Sequence, residues 1–266
     1  MLFHFLFVMV GEGRPSTSLR LRCTLSALLA LFLVAPPAAA GPPEALPFLP
    51  SAVFPIQGPA TAKGALVWLQ GGIAQGQFLP PEYPEGQPAP DWLARIPAAG
   101  WDVWRHNRIA GQDALSTGAD SLIHGLEALH AAGYRHVVVA GFSRGAFIAL
   151  SALSRPDLVE AIAVLSPAAH GTSPARREQA LADYAARLAA ARGPMRFALA
   201  QFNDDPFDPD PALRARQAAA MASRTGMTFL LIDRPQAPTG HMASYEPEFD
   251  PEFGARLVAF LLGTQP

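Results

Sequence analysis

An α/β fold around a mainly parallel sheet is the fold class the sequence predicts, and three features predict it. From Gly64 onward, short apolar runs alternate with helical patterns. The connections between them are brief. The apolar runs are nearly unbroken, without the polar alternation of a sheet that has one wet face. Strands of that kind are covered on both faces, and the intervening helices supply the cover. The chain has 266 residues, half of them apolar and 16% charged, which suits one large domain with a substantial core.

The elements follow in order. GALVWLQGG (64–72) is a buried strand ending in glycines, and APDWLARIPAAG (89–100) is a short helix between Asp91 and Gly100. WDVWRHN (101–107) is the second strand. STGADSLIHGLEALHAAG (116–133) is a helix capped by Ser116 or Thr117 and stopped by Gly133. RHVVVAG (135–141) is the third strand, followed by a helix (144–156) that Pro156 ends. EAIAVLSP (160–167) is a strand, 173–193 a helix and MRFALAQF (195–202) a strand. The next helix (208–226) opens on Asp-Pro and closes on Gly226. MTFLLID (227–233) is the last strand and 251–263 the final helix. In such a sheet ligands bind beyond the carboxyl ends of the strands, so each segment after a strand is a place for chemistry.

The first forty residues read differently. Arg20 and Arg22 precede the apolar stretch CTLSALLALFLVA, and Ala38 and Ala40 form an A-x-A site. This is the pattern of a signal peptide cleaved after Ala40, with an uncleaved anchor as the alternative. The apolar core is short for a membrane span. MLFHFLFVMVGEGRPSTS ahead of the arginines reads as an over-long start of the frame. The expected division is 1–40 signal peptide, 41–63 proline-rich lead-in and 64–266 main domain, with a secreted or periplasmic destination. Cys23 is the only cysteine, so the mature chain has no thiol for a disulfide, a nucleophile or a metal. Net charge is -2 and there is no basic stripe, which argues against nucleic acid as a partner.

Gly141-Phe142-Ser143-Arg144-Gly145 is a G-x-S-x-G turn set between an apolar strand and a helix. Strand and helix nearly touch there, so small residues are needed two before and two after the serine. The serine is forced into a strained backbone, its hydroxyl outward at a helix N-terminus where developing negative charge is favoured. An ordinary Gly-Ser turn capping a helix is the other meaning of the same residues.

The order of elements and this turn resemble the α/β-hydrolase superfamily, over about residues 64–263. The resemblance implies an α/β-hydrolase fold with helices on both faces of the sheet. It also implies a nucleophile at Ser143, with the acid and the base on loops after later strands. NDDPFDPDP follows the strand 195–202 and offers Asp205 as the acid, its Pro206 matching the family's D-P-x-x-P turn, with Asp208 as the alternative. Asp208 and Asp210 also read as helix N-caps. RPQAPTGHMAS follows the last strand and offers His241 as the base, ahead of His106, His124, His130 and His170. An oxyanion needs two preset N–H donors. They are expected from Arg144 and from Gly72, with Ile73 as alternative; Gln70 stands where the family often has histidine.

The loop 74–92 reads as a roof over the pocket, with Phe78, Tyr83 and Trp92 as candidate lining. Arg105 and Arg108 are placed to meet an anionic substrate or to pair at the surface. Only one helix fits between the strands 160–167 and 195–202, so the lid is minimal. No H-E-x-x-H, Walker or G-x-G-x-x-G motif occurs, and no cofactor is expected. The expected function is an exported serine hydrolase acting on a small-molecule ester or related acyl substrate. A peptidase, amidase or acyltransferase on the same residues is the alternative, as is a non-catalytic binding protein.

Overall fold

The computed structural model describes residues 47–51, 53–72, 89–108 and 114–264, which lie in one compact unit, Glu44–Pro266. Among the described residues, seven strands form one sheet. They are β1 (Phe48–Pro50), β2 (Ala65–Leu69), β3 (Asp102–His106), β4 (Val137–Phe142), β5 (Ala161–Leu165), β6 (Arg196–Gln201) and β7 (Thr228–Asp233). Their spatial order is β1-β3-β2-β4-β5-β6-β7, all parallel except β1, which pairs antiparallel to β3.

The helices are α1 (Arg95–Ala98), α2 (Leu115–Ala131), α3 (Arg144–Ala149), α4 (Arg177–Ala189), α5 (Pro211–Thr225) and α6 (Ala255–Leu262). Alternate residues of each strand feed two cores. Ala65, Val67 and Leu69 of β2 pack with residues of α2, α3, α4 and α5. Leu66 and Trp68 pack on the other face with residues of α1 and α6. This two-sided burial is why the strands read as continuous apolar runs.

The described part of the proline-rich lead-in, from residue 47, is built into the domain rather than preceding it, and this moves the expected boundary at Gly64. Phe48–Pro50 forms the edge strand β1, where proline costs no ladder bond on the open side. The Phe48 ring packs on α2 at Gly125, where a Cβ would come within 2.5 Å of it. Buried Asp102 accepts from the N–H groups of Gln57 (2.8 Å) and Gly58 (2.9 Å) and from the Tyr134 hydroxyl (2.5 Å). Burial and this bond raise the Tyr134 pKa to about 12. Short polar sequences hide such anchors, because the partners lie 32 to 45 residues away.

Three smaller differences concern helix ends. α2 starts at Leu115, so neither Ser116 nor Thr117 caps it; the Thr117 hydroxyl donates to the Ala114 carbonyl at 3.0 Å. The helix after Ser143 is α-helical only to Ala149 and then tightens into a 3-10 segment, Leu150–Ser154. The final helix opens with a π turn, Asp250–Gly254.

Candidate active site

The sheet order reverses at β2, which lies between β3 and β4. The chain leaves β2 toward one edge and returns toward the other, opening a crevice at their carboxyl ends. Gly71 and Gly72 follow β2 there and Ser143 follows β4. They line one cleft of about 290 Å³ with Phe142, Ala168, Phe207, His241 and others.

The serine turn has the tightness its sequence demands. A Cβ on Gly145 would come within 2.1 Å of the Leu69 carbonyl oxygen, and one on Gly141 within 2.7 Å of the Gly145 backbone. Ser143 has φ 53° and ψ -119°, a region L-residues avoid. Its backbone is held on both sides: its N–H donates to Leu165 O at 3.0 Å, and its carbonyl accepts from Ala168 N at 3.1 Å.

The two later loops are laced together. Arg234 N–H donates to Gln201 O (2.8 Å), Gly240 N–H to Asn203 O (2.7 Å), and the Asn203 amide to the carbonyls of Arg234 and Pro235. They deliver His241 and Asp205 to the serine. His241 Nε2 lies 2.9 Å from Ser143 Oγ, and His241 Nδ1 lies 3.0 and 2.9 Å from the two Asp205 oxygens. Asp205 is buried and also accepts from Phe207 N–H at 2.9 Å. The imidazole is flanked by the rings of Phe207 (4.4 Å between centroids) and Phe142 (5.0 Å). The sequence reading missed both phenylalanines as site residues. Their positions inside G-x-S-x-G and the aspartate turn were the available signal.

Asp208, the alternative acid, faces elsewhere. It is buried against the equally buried Arg214 (3.3 Å), whose guanidinium also donates to Pro167 O and lies over the Tyr184 ring. Burial raises the Asp208 carboxyl's pKa while Arg214 opposes it. Asp208 is not a helix cap either. Asp210 alone caps α5, its carboxylate accepting from Leu213 N–H at 2.9 Å.

Arg108 corrects a second expectation. Its guanidinium donates to the carbonyls of Gln70 and of Gly71 (2.6 Å for the latter). In a trans peptide the carbonyl and the following N–H point oppositely. Holding Gly71 O therefore turns the Gly72 N–H away from Arg108. The Arg144 side chain packs against Gly72, where a Cβ would stand 3.1 Å from its Nε.

Of the roof residues, Phe78 and Tyr83 lie outside the described residues, as does Ile73. Trp92 is fully buried, edge-on to Trp68, and is core rather than lining. His170 does not join the serine row; its Nε2 lies 2.7 Å from Asp183. His106 ends β3, buried, with Nε2 3.2 Å from Ser121 Oγ. Burial, and secondarily Arg108, push it down to about 3. Among the described residues no helix is long and apolar enough to cross a membrane.

No family model and no curated protein matches the chain. Solved structures match it in shape. A monoacylglycerol lipase of Paleococcus ferrophilus superposes with a TM-score of 0.54 at 13% identity, over 76% of this chain and 96% of that one. An esterase of Pyrococcus furiosus gives 0.52 at 14%, over 76% and 84%. Dienelactone hydrolase of Anabaena variabilis gives 0.51 at 14%, over 78% and 89%. The chain has the α/β-hydrolase fold. Within that fold the three hydrogen-bonded side chains stand in the chain order Ser143, Asp205, His241 expected of the superfamily. Between β5 and β6 this hydrolase-fold chain carries α4 and a 3-10 turn, Pro174–Arg176, and no further helix.

Proposed function

We propose that the protein is a serine hydrolase that cleaves a small ester through an acyl-enzyme. The observation that carries the proposal is the unbroken row Ser143–His241–Asp205, with 2.9 Å steps on both sides of the imidazole. A carboxylate only accepts, so Nδ1 carries the proton and Nε2 is left to accept from the serine hydroxyl. His241 takes that proton as Ser143 Oγ attacks the substrate carbonyl. Asp205 holds the ring in this tautomer and stabilises it when charged. The oxyanion is met by the N–H groups of Gly72 and Arg144, the first turned by Arg108 and the second opening α3. His241 then protonates the leaving alcohol. Water, activated by the same ring, releases the acid and restores Ser143.

An esterase and a monoacylglycerol lipase among the structural neighbours support an ester substrate, while a dipeptidyl aminopeptidase among them keeps an amide as the second reading. The leader pattern at Arg20–Ala40 supports export, with residues 1–46 outside the described part of the structure. The test is hydrolysis of p-nitrophenyl acetate and butyrate beside a matched anilide. Wild type is expected to turn over the esters and to prefer them. Ser143→Ala is expected to lose roughly four to six orders of magnitude in kcat. A folded Ser143→Ala that hydrolyses esters as fast as wild type overturns the proposal.

A further inference from the structure

A second cavity, of about 550 Å³, opens beside the serine cleft and shares Arg144 and Ala169 with it. Its far wall is one face of the helix entered at Pro174. Arg176, Gln179, Asp183 and Arg187 recur at helical spacing along that face. Arg144, the residue after the serine, stands on the near wall. Three guanidinium groups thus surround one space, and guanidinium stays charged at any working pH.

Among the described residues the acidic groups at this cavity are Asp183 on its wall and Asp120 near Arg187. Asp183 is engaged by buried His170, at 2.7 Å. Asp120 and Asp183 both act on Arg187 across the cavity wall, and Arg187 donates to Ser151 Oγ. Among the described residues the Arg176 guanidinium makes no hydrogen bond or ion pair, and it also borders a third hollow beside Phe207. Leu115 and Phe147 supply apolar wall between the cations. A cavity lined by three arginines, with a partly apolar wall, suits an acid at the end of a short carbon chain, which arginine forks meet bidentately.

We propose that this cavity binds a carboxylate carried on one arm of the substrate, so that the enzyme selects anionic esters over neutral ones of equal size. The inference rests on the serine-hydrolase reading and names its substrate class. Ser143 performs the same acyl transfer; the new element is the anchoring of the distal carboxylate by Arg176 and Arg187.

Two ester pairs test it. For the acyl arm, mono-p-nitrophenyl adipate is compared with its methyl-capped counterpart. For the alcohol arm, 4-acetoxybenzoate is compared with its methyl ester. Ser143→Ala supplies the background rate. In wild type the anionic member of at least one pair is expected to have the higher kcat/KM, by roughly tenfold or more at low salt, with the ratio falling as NaCl is added. Arg176→Gln and, separately, Arg187→Gln are expected to pull the ratio toward one. Binding of adipate to the intact Ser143→Ala protein, read by calorimetry, is expected to weaken in the same variants. Ratios near or below one in both pairs overturn the proposal, as does a preference that neither arginine variant moves. A protein that binds adipate through these arginines but neither hydrolyses esters nor labels at Ser143 overturns the hydrolase reading and leaves an anion-binding cavity. Turnover without anion preference does the reverse.

Discussion

The serine turn between β4 and α3 and the aspartate turn between β6 and α5 serve one hydrogen-bonded row, yet they are specified differently. The first is fixed by backbone crowding: Gly141 and Gly145 leave no room for a Cβ, and Ser143 takes the positive φ that results. The second is fixed by partners. Asp205 and Asp208 sit three residues apart and both are buried. One faces His241 and the other faces Arg214. Identical side chains in one loop receive different work from what the rest of the fold sets against them.

That contrast is broken most directly by exchanging each carboxylate for an amide. Asp205→Asn is expected to lower kcat by about 10⁴ while leaving the denaturant midpoint near wild type, because the imidazole loses its tautomer and its counter-charge. Asp208→Asn is expected to do the opposite. It leaves buried Arg214 without its carboxylate, costing on the order of 3 kcal/mol in stability, with kcat within about tenfold of wild type. Paired urea titrations and ester kinetics check both. Equal effects of the two variants on rate would mean that Asp208 also serves the imidazole.

The loop after β2 sharpens the contrast, since it too depends on a partner. Arg108→Gln is expected to lower kcat by roughly 10² with little change in KM, as for the loss of one oxyanion donor. Separate measurement of kcat and KM on a neutral ester checks this. A rise in KM alone would place Arg108 in substrate binding.

The mildest effect lies outside both turns, at His106. Its folded pKa of about 3 is below the unfolded value of about 6.5, so between these values the unfolded chain binds more protons. The contribution of His106 to stability is therefore complete above that window and is lost as pH falls through it, with a slope up to ~1.4 kcal/mol per pH unit. His106→Gln is expected to flatten the fall of the urea midpoint between pH 6.5 and 5. An unchanged slope would mean that the ring is charged in the folded protein.

Legibility in the sequence followed the same division. Strand order along the chain, the turn at Ser143 and the histidine at 241 could be read because periodicity, glycine spacing and position carry them. The loop with the candidate carboxylates could be read, but that Asp205 and not Asp208 faces His241 depends on Arg214, which approaches from α5. Arg108 read equally well as a substrate ligand because nothing local marks the carbonyls it holds. Strand β1 was hidden because three residues ending in proline carry no period, and its stability comes from β3, Gly125 and Asp102 far along the chain.

The central claim is that the imidazole at 241 makes the hydroxyl at 143 a nucleophile. Fluorophosphonate labelling of the purified, folded protein, with the adduct located by peptide mass spectrometry, tests it most directly. The account predicts one adduct, on Ser143, whose formation slows by orders of magnitude in His241→Ala. An unlabelled Ser143 in wild type, or labelling just as fast without the imidazole, would contradict it.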